Sequence, residues 1–249
     1  MTHRVFPLRE ALKRIKSAGF DKVELCSAEA WVPHFDIPNA SENSVAECAS
    51  LFRENGMTAA AINIGGQFPI EKMKYVCELA TRIGAPTITI GCGSPVEGQE
   101  RSELLKKHTE YNASFADLCE EFGLTASVEA PHKKSLAEKS DEIIEYWSLQ
   151  DERLKCTFDT AHLTYAGEDM LAMARRFAKR VAHIHLRDAV TGNSLLRYGE
   201  GTVDFASFIG IFKETGYAGY YSMEYPVDSE EEAAERLESS VAFLKKFNI

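Results

Sequence analysis

Four short segments of this sequence end alike. Ser127-Val128-Glu129, Phe158-Asp159, His183-Ile184-His185 and Ser222-Met223-Glu224 each close an apolar stretch with a residue able to bind a metal ion. Side chains alternate along a strand. In Lys155–Asp159, Cys156 and Phe158 therefore take one face, and Thr157 and Asp159 the other. The apolar face suits packing on helices, whereas a carboxylate on the opposite face finds no place in an apolar core. Taken singly, each charge reads as a strand-end residue in a salt bridge. Four at matching positions read better as one site. Three carboxylates and an imidazole make a hard, mostly oxygen donor set. It suits an octahedral divalent ion, Mn2+ before Mg2+ or Co2+ with Zn2+ less favoured, and leaves about two positions for substrate oxygens.

The rest of the chain must bring these ends together. Helices and strands alternate along it. The pattern predicts helices over Pro7–Ala18, from Ser44 to Gly56, from Pro69 to Gly84, and over Glu100–Phe122, Ser140–Leu149, Asp169–Ala178, Asp204–Thr215 and Glu230–Phe247. Strands are predicted at Lys22–Cys26, Thr58–Ile64, Pro86–Gly91, Leu124–Glu129, Leu154–Asp159, Val181–Leu186 and Tyr220–Tyr225, with a polar loop over Arg187–Val203. Ser44-Val-Ala-Glu47 reads as a capping box. The junction of helix, glycine and strand repeats at Gly19, Gly56, Gly84, Gly123 and Gly216, where glycine enters the left-handed conformation without strain. Such alternation means a parallel sheet. The expected fold is α/β, a TIM (β/α)8-type barrel spanning residues 1–249 as one domain. Only Thr2–Phe6 is available as the first strand, so that strand is expected to be abbreviated or missing. An open doubly wound sheet would carry a glycine-rich phosphate turn after its first strand, and none is present. Glu24, Asn63, Glu129, Asp159, His185 and Glu224 are expected to face inward at the C-terminal end of the barrel. Val23, Leu25, Ile62, Val128, Phe158, Ile184 and Met223 should face the helices.

Composition narrows the function. The net charge is -10 and 45% of residues are hydrophobic. There is no Lys/Arg run, which argues against a nucleic-acid groove. No apolar run approaches the roughly 20 residues of a membrane span, and the N-terminus has no signal-peptide apolar region. The six cysteines (Cys26, Cys48, Cys77, Cys92, Cys119, Cys156) are scattered, without a Cys-x-x-Cys pair. They read as reduced, buried thiols of a cytoplasmic protein. A homo-oligomer is compatible with all of this.

The motifs Val-Glu129-Ala-Pro-His132, Phe-Asp159-Thr-Ala-His162, His183-Ile-His185-Leu-Arg-Asp188, Gly199-Glu200-Gly201 and Met-Glu224-Tyr-Pro226 resemble those of the xylose isomerase-like barrel family of sugar isomerases and epimerases, over nearly the whole chain from Pro7. The resemblance implies a metal held by Glu129, Asp159, His185 and Glu224. It implies that the two glutamates also handle protons, and that His162 contacts a substrate oxygen. The implied activity is metal-dependent isomerisation or epimerisation of an unphosphorylated sugar or keto-sugar through an enediolate. A lyase or dehydratase acting on a keto-inositol or keto-glycoside, and a sugar-binding barrel without turnover, are the alternatives. The chain departs from the family's ketose 3-epimerases in two places. Thr191 stands six residues after His185 where those enzymes carry Arg, so Arg187 or Arg197 is expected to replace it at the substrate. His132-Lys133-Lys134-Ser135 stands where they carry an Asn-Arg-aromatic-Glu run. The apurinic endonucleases of the family need further His ligands on the second and third strands. This chain offers Asn63 and Gly91/Cys92 there.

His132, three residues past Glu129, reads equally as a substrate contact and as a loop histidine. Glu24 reads as structural or as a partner of the ligand residues, His183 as a hydrogen-bonded core residue, and Arg187 and Asp188 as a local ion pair. Trp31, His34 and Phe35 are placed to wall the pocket.

Overall fold

The computed structural model describes residues 1–28 and 32–248. In chain order the elements are α1 (Leu8–Ser17), β1 (Lys22–Ala28), β2 (Val32–Pro33), α2 (Glu42–Glu54), β3 (Thr58–Asn63), α3 (Ile70–Ile83), β4 (Thr87–Gly91), α4 (Arg101–Glu121), β5 (Thr125–Glu129), α5 (Ser140–Leu149), β6 (Lys155–Asp159), α6 (Thr160–Ala166), α7 (Met170–Phe177), β7 (Val181–Leu186), β8 (Asp188–Val190), β9 (Asn193–Leu196), α8 (Phe205–Glu214), β10 (Tyr220–Met223) and α9 (Glu230–Phe247). Seven strands run parallel in the order β10-β7-β6-β5-β4-β3-β1 and curl into a nearly closed barrel. The two-residue β2 adds to β1 antiparallel.

Alternation along the strands divides the barrel into two surfaces. Leu25, Ile62, Ile88, Val128, Phe158 and Ile184 face outward into the apolar cluster beneath the helices, with Val23 and Met223 packed against it. Phe158, for example, meets Phe208 of α8 at 5.5 Å between ring centroids. The inner surface is polar. Thr157 Oγ1 lies 2.8 Å from the hydroxyls of both Thr89 and Ser127. This hydroxyl layer sits two residues below the ends of β5 and β6. A polar floor suits a site that must hold charge, because buried polar groups are tolerated only when bonded to one another.

The first strand is absent. Residues 2–5 form turns rather than a strand, and β1 and β10 make no ladder with each other. Thr2 docks the N-terminal turn on the end of β10, and one side chain, Lys22, reaches across the break. The Thr2 hydroxyl donates to Met223 O at 3.3 Å and accepts from the Tyr225 N–H at 3.1 Å. At the other end the Lys22 ammonium lies 5.2 Å from the centroid of the Tyr220 ring. Between them is a cavity of about 680 Å³, walled by Leu8, Leu12 and Ile15 of α1 and Leu244 of α9, and reaching Glu24, Asn63 and Glu224 inside.

Three local features differ from the sequence-based expectation. Helix α2 starts one turn earlier, capped by Ser41 with Ser44 in reciprocal bonds; its first turn is polar, so the apolar period becomes visible only at Val45. A short helix, α6, follows β6 directly, because the Asp159 carboxylate accepts from Ala161 N at 2.6 Å and caps it. The loop after β7 holds an antiparallel ribbon, β8–β9, turned through Gly192 at φ 81°.

Candidate metal centre and active site

The strand ends converge on the imidazole of His185. Its Nδ1 lies 3.1 Å from Glu224 Oε2, 3.2 Å from Glu129 Oε1 and 3.9 Å from Asp159 Oδ2. The four ligand atoms lie within 4.8 Å of one another, each side chain offering one. Asp159 and His185 are fully buried, Glu129 nearly so, and Glu224 is the most open of the four. Register brings Asp159 level with His185 across β6 and β7. Three carboxylate oxygens around one imidazole nitrogen fit a divalent ion chemically.

Electrostatics bind the cluster together. Burial pushes the His185 imidazole toward neutrality, but the carboxylates of Glu24, Glu224 and Glu129 outweigh it and hold its pKa well above the ordinary value. Burial likewise raises Glu129, yet His185 and His162 hold its carboxyl well below the usual range. Asp159 also ends below its ordinary value: burial raises it, and the Arg187 guanidinium beside it prevails.

Two supports hold the clustered side chains in place. Glu24, left at the sequence level between a structural role and partnership with the ligands, places Oε1 3.0 Å from His185 Nε2. It fixes the ring so that Nδ1 faces the other carboxylates, the arrangement by which metal-binding histidines are commonly oriented. Asn63 Nδ2 donates to Glu129 Oε2 at 3.3 Å while its Oδ1 accepts from Gly65 N. Asn63 was expected only to face inward; its role depends on a contact across the barrel that spacing does not show. His183 lies below, as expected, with Nε2 2.8 Å from Ser222 Oγ and 3.4 Å from Glu24.

The candidate substrate residues separate into two groups. His132, His162 and Arg187 gather at the mouth. The His132 and His162 rings lie 4.1 Å apart, and His162 Nε2 is 3.4 Å from Glu129 Oε1. Burial, with His162 next, lowers the His132 pKa to about 4, so this ring is neutral near pH 7. Arg187 is buried and donates from Nε to Asp159 Oδ2 at 2.7 Å. Its expected ion pair with Asp188 is not formed, because adjacent residues point to opposite sides. Asp188 instead accepts from the backbone N–H groups of Gly199, Gly201, Ala189 and Val203, and so anchors the loop after β7. Arg197, expected near the substrate, is half exposed and pairs with Glu235 of α9 at 2.6 Å. Of the proposed pocket wall, Phe35 is part of the apolar core. His34 Nε2 lies 2.9 Å from Phe6 O and the ring lines the cavity at the break. Trp31 lies outside the described residues. Lys133, named at the sequence level only within the run that departs from the ketose 3-epimerases, reaches Ser194 Oγ at 2.8 Å across the mouth.

A barrel with charged ligands at its strand ends defines a class, and comparison with known proteins agrees. Residues 12–247 match the xylose isomerase-like TIM barrel family. The chain belongs to this family. It is 30% identical to the inosose dehydratase of Clostridium beijerinckii over 116 residues, which is 39% of either chain; it thus spans well under half the length of that curated relative. Among solved structures, a D-tagatose 3-epimerase-like protein superposes with a TM-score of 0.77 at 17% identity, covering 98% of this chain and 96% of the other. The IOLI protein, solved with a zinc atom, superposes with a TM-score of 0.74 at 16% identity, covering 99% and 96%.

Proposed function

We propose that this chain is a divalent-metal-dependent enzyme that removes a proton next to a carbonyl in an unphosphorylated sugar or keto-sugar, as an isomerase or epimerase. The observation that carries this reading is the order of the ligands around the barrel. Glu129 on β5 and Glu224 just beyond β10 are separated by Asp159 on β6 and His185 on β7. Glu129 and Glu224 thus approach a molecule at the mouth from different sides, while Asp159 and His185 lie between them. In this reading Glu129, Asp159, His185 and Glu224 hold the ion, Mn2+ in first place. The bound ion would supply Lewis-acid stabilisation of the enediolate. One glutamate takes the proton from carbon, and the other returns a proton from the opposite side when configuration inverts. His132 and His162 meet substrate oxygens, and the loop anchored by Asp188 shapes the pocket.

A second reading is dehydration of a keto-inositol, favoured by the likeness to the inosose dehydratase. It begins with the same proton loss and ends with departure of a β-hydroxyl. Ketoses, keto-glycosides and inososes incubated with the protein and Mn2+ in deuterated water separate the two. Deuterium at the α-carbon with an epimer or isomer as product supports the first; loss of water supports the second. No metal-dependent exchange with any of them contradicts both. Glu129→Gln and Glu224→Gln are each expected to abolish turnover while substrate binding survives. Asp159→Ala and His185→Ala are expected to lose the ion, measured by elemental analysis after dialysis; full occupancy in both would refute the ligand assignment.

A further inference from the structure

The oxygen of Asp159 that faces His185 Nδ1 is Oδ2. That same atom receives Arg187, from Nε at 2.7 Å and from Nη2 at 2.7 Å. The other oxygen, Oδ1, is taken by the Ala161 N–H at the start of α6. Both oxygens of this carboxylate are therefore engaged. The Arg187 Nε is also 4.0 Å from Glu224 Oε2, so the guanidinium lies against two members of the ligand cluster. The pairing is buried on both sides, with side-chain exposure of 5% for Arg187 and 0% for Asp159. A fixed cation this close opposes any second cation seeking the same oxygens, and low exposure leaves little water to screen it.

Nη2, which already meets Asp159 Oδ2, is less well matched by its second neighbour. Arg187 Nη2 lies 2.9 Å from His162 Nε2, and the Lys133 N–H lies 3.2 Å from His162 Nδ1. Both neighbours are donors. A neutral imidazole has a single acceptor nitrogen and an imidazolium has none. Only one of the two contacts can then be a hydrogen bond, and the other sets N–H against N–H. The guanidinium is held firmly by Asp159 and incompletely by His162.

We propose that Arg187 is an internal competitor for the divalent ion, occupying Asp159 Oδ2 until the ion displaces it toward the mouth. The inference rests on the reading of Glu129, Asp159, His185 and Glu224 as a metal centre. It makes metal loading and presentation of a substrate-binding arginine two sides of one event. The released guanidinium carries the paired donors that suit vicinal sugar oxygens or a carboxylate.

The test compares the wild-type chain with Arg187→Met and Arg187→Lys, all stripped with chelator. Mn2+ is titrated by calorimetry, and thermal melting is recorded with and without Mn2+. Arg187→Met is expected to bind Mn2+ at least about tenfold more tightly than wild type, and Arg187→Lys, which keeps the charge, to lie closer to wild type. The stripped Arg187→Met protein should melt below stripped wild type, because Asp159 is left buried without its partner. Mn2+ should then raise its melting temperature by more than it raises that of wild type. An Arg187→Met protein that folds and binds Mn2+ as wild type does, or more weakly, overturns the proposal and leaves the metal centre standing. Absence of Mn2+ binding in all three proteins overturns the metal centre itself, and the competitor with it. Should stripped Arg187→Met fail to fold, Arg187→Gln takes its place with the same expectation of tighter binding.

Discussion

Replacing Glu24 by Gln removes a charge without removing volume, and it tests whether the ring of His185 is held by hydrogen bonding, by charge or by neither. Glu24 Oε1 is 3.0 Å from His185 Nε2. Two unit charges about 3 Å apart interact by about 5 kcal/mol at an effective dielectric constant of about 20. That figure is an upper bound for the change, because the amide oxygen of Gln still accepts the Nε2–H. The ring would keep its orientation and lose basicity. Oriented partners of metal-binding histidines are typically worth about 10- to 100-fold in metal affinity, about 1.4 to 2.8 kcal/mol. Loss of one negative charge beside a cation site acts in the same direction. Glu24→Gln is therefore expected to weaken Mn2+ binding by about 10- to 100-fold, read by calorimetric titration against wild type at one pH and ionic strength. Glu24→Ala should be weaker still, since the ring is then free to turn. Mn2+ affinity within about twofold of wild type in Glu24→Gln would refute the reasoning, and would mean that packing alone fixes His185.

Two further outcomes follow from features outside the ligands. A Cβ added at Gly201 would stand 2.0 Å from Asp188 Oδ1 and 2.5 Å from Ala189 O, so Gly201→Ala must push the loop off its anchor. A loss of about 2–3 kcal/mol in denaturant unfolding is expected, in the range for strain combined with a broken buried network, together with a raised KM; wild-type stability would contradict the anchoring role. The second outcome concerns acid. Burial lowers the His3 pKa from 6.5 to about 4, and burial lowers His34 in the same direction. A lowered pKa means that the unfolded chain binds the proton first, so this stability is complete above about pH 6.5 and is lost as pH falls toward about 4. The full shift sets an upper limit of about 3 kcal/mol for His3. His3→Phe should flatten that part of the curve of stability against pH, and an unchanged acid limb would place the dependence elsewhere.

The convergence of Glu129, Asp159, His185 and Glu224 was legible in the sequence because a strand is periodic. A charge two residues above a polar residue, on the face opposite Phe158 or Val128, has nowhere to go but the barrel mouth. The frame was legible because the helices close on glycine, as at Gly84, φ 77°. What was not legible depends on closure or on local competition. The contacts Glu24–His185 and Asn63–Glu129 cross the barrel between residues 161 and 66 positions apart, and no local pattern encodes them. Arg187 was read as a substrate contact or as a pair with its neighbour Asp188, but consecutive residues diverge, and its carboxylate partner came from the adjacent strand end. Helix α6 stayed hidden because Asp159 does two things at once, offering one oxygen toward the cluster and the other to the first turn of a helix too short to show a period.

The break between β1 and β10 makes the four proposed ligands mechanically unequal. Glu129, Asp159 and His185 stand on strands with backbone ladders on both sides, whereas Glu224 stands past the end of a strand with a ladder on one side only. A ring sewn shut resists widening through every strand; an interrupted ring can widen at the interruption, where the Lys22 ammonium over the Tyr220 ring is the contact between the two edge strands. Any such widening moves Glu224 relative to the other three. Three ligands thus form a rigid template and the fourth a compliant arm, and ions of different radius can be met by moving that arm alone. A site of this stiffness would select weakly by size, so the identity of an ion held there would be set more by which ion is available than by the shape of the barrel.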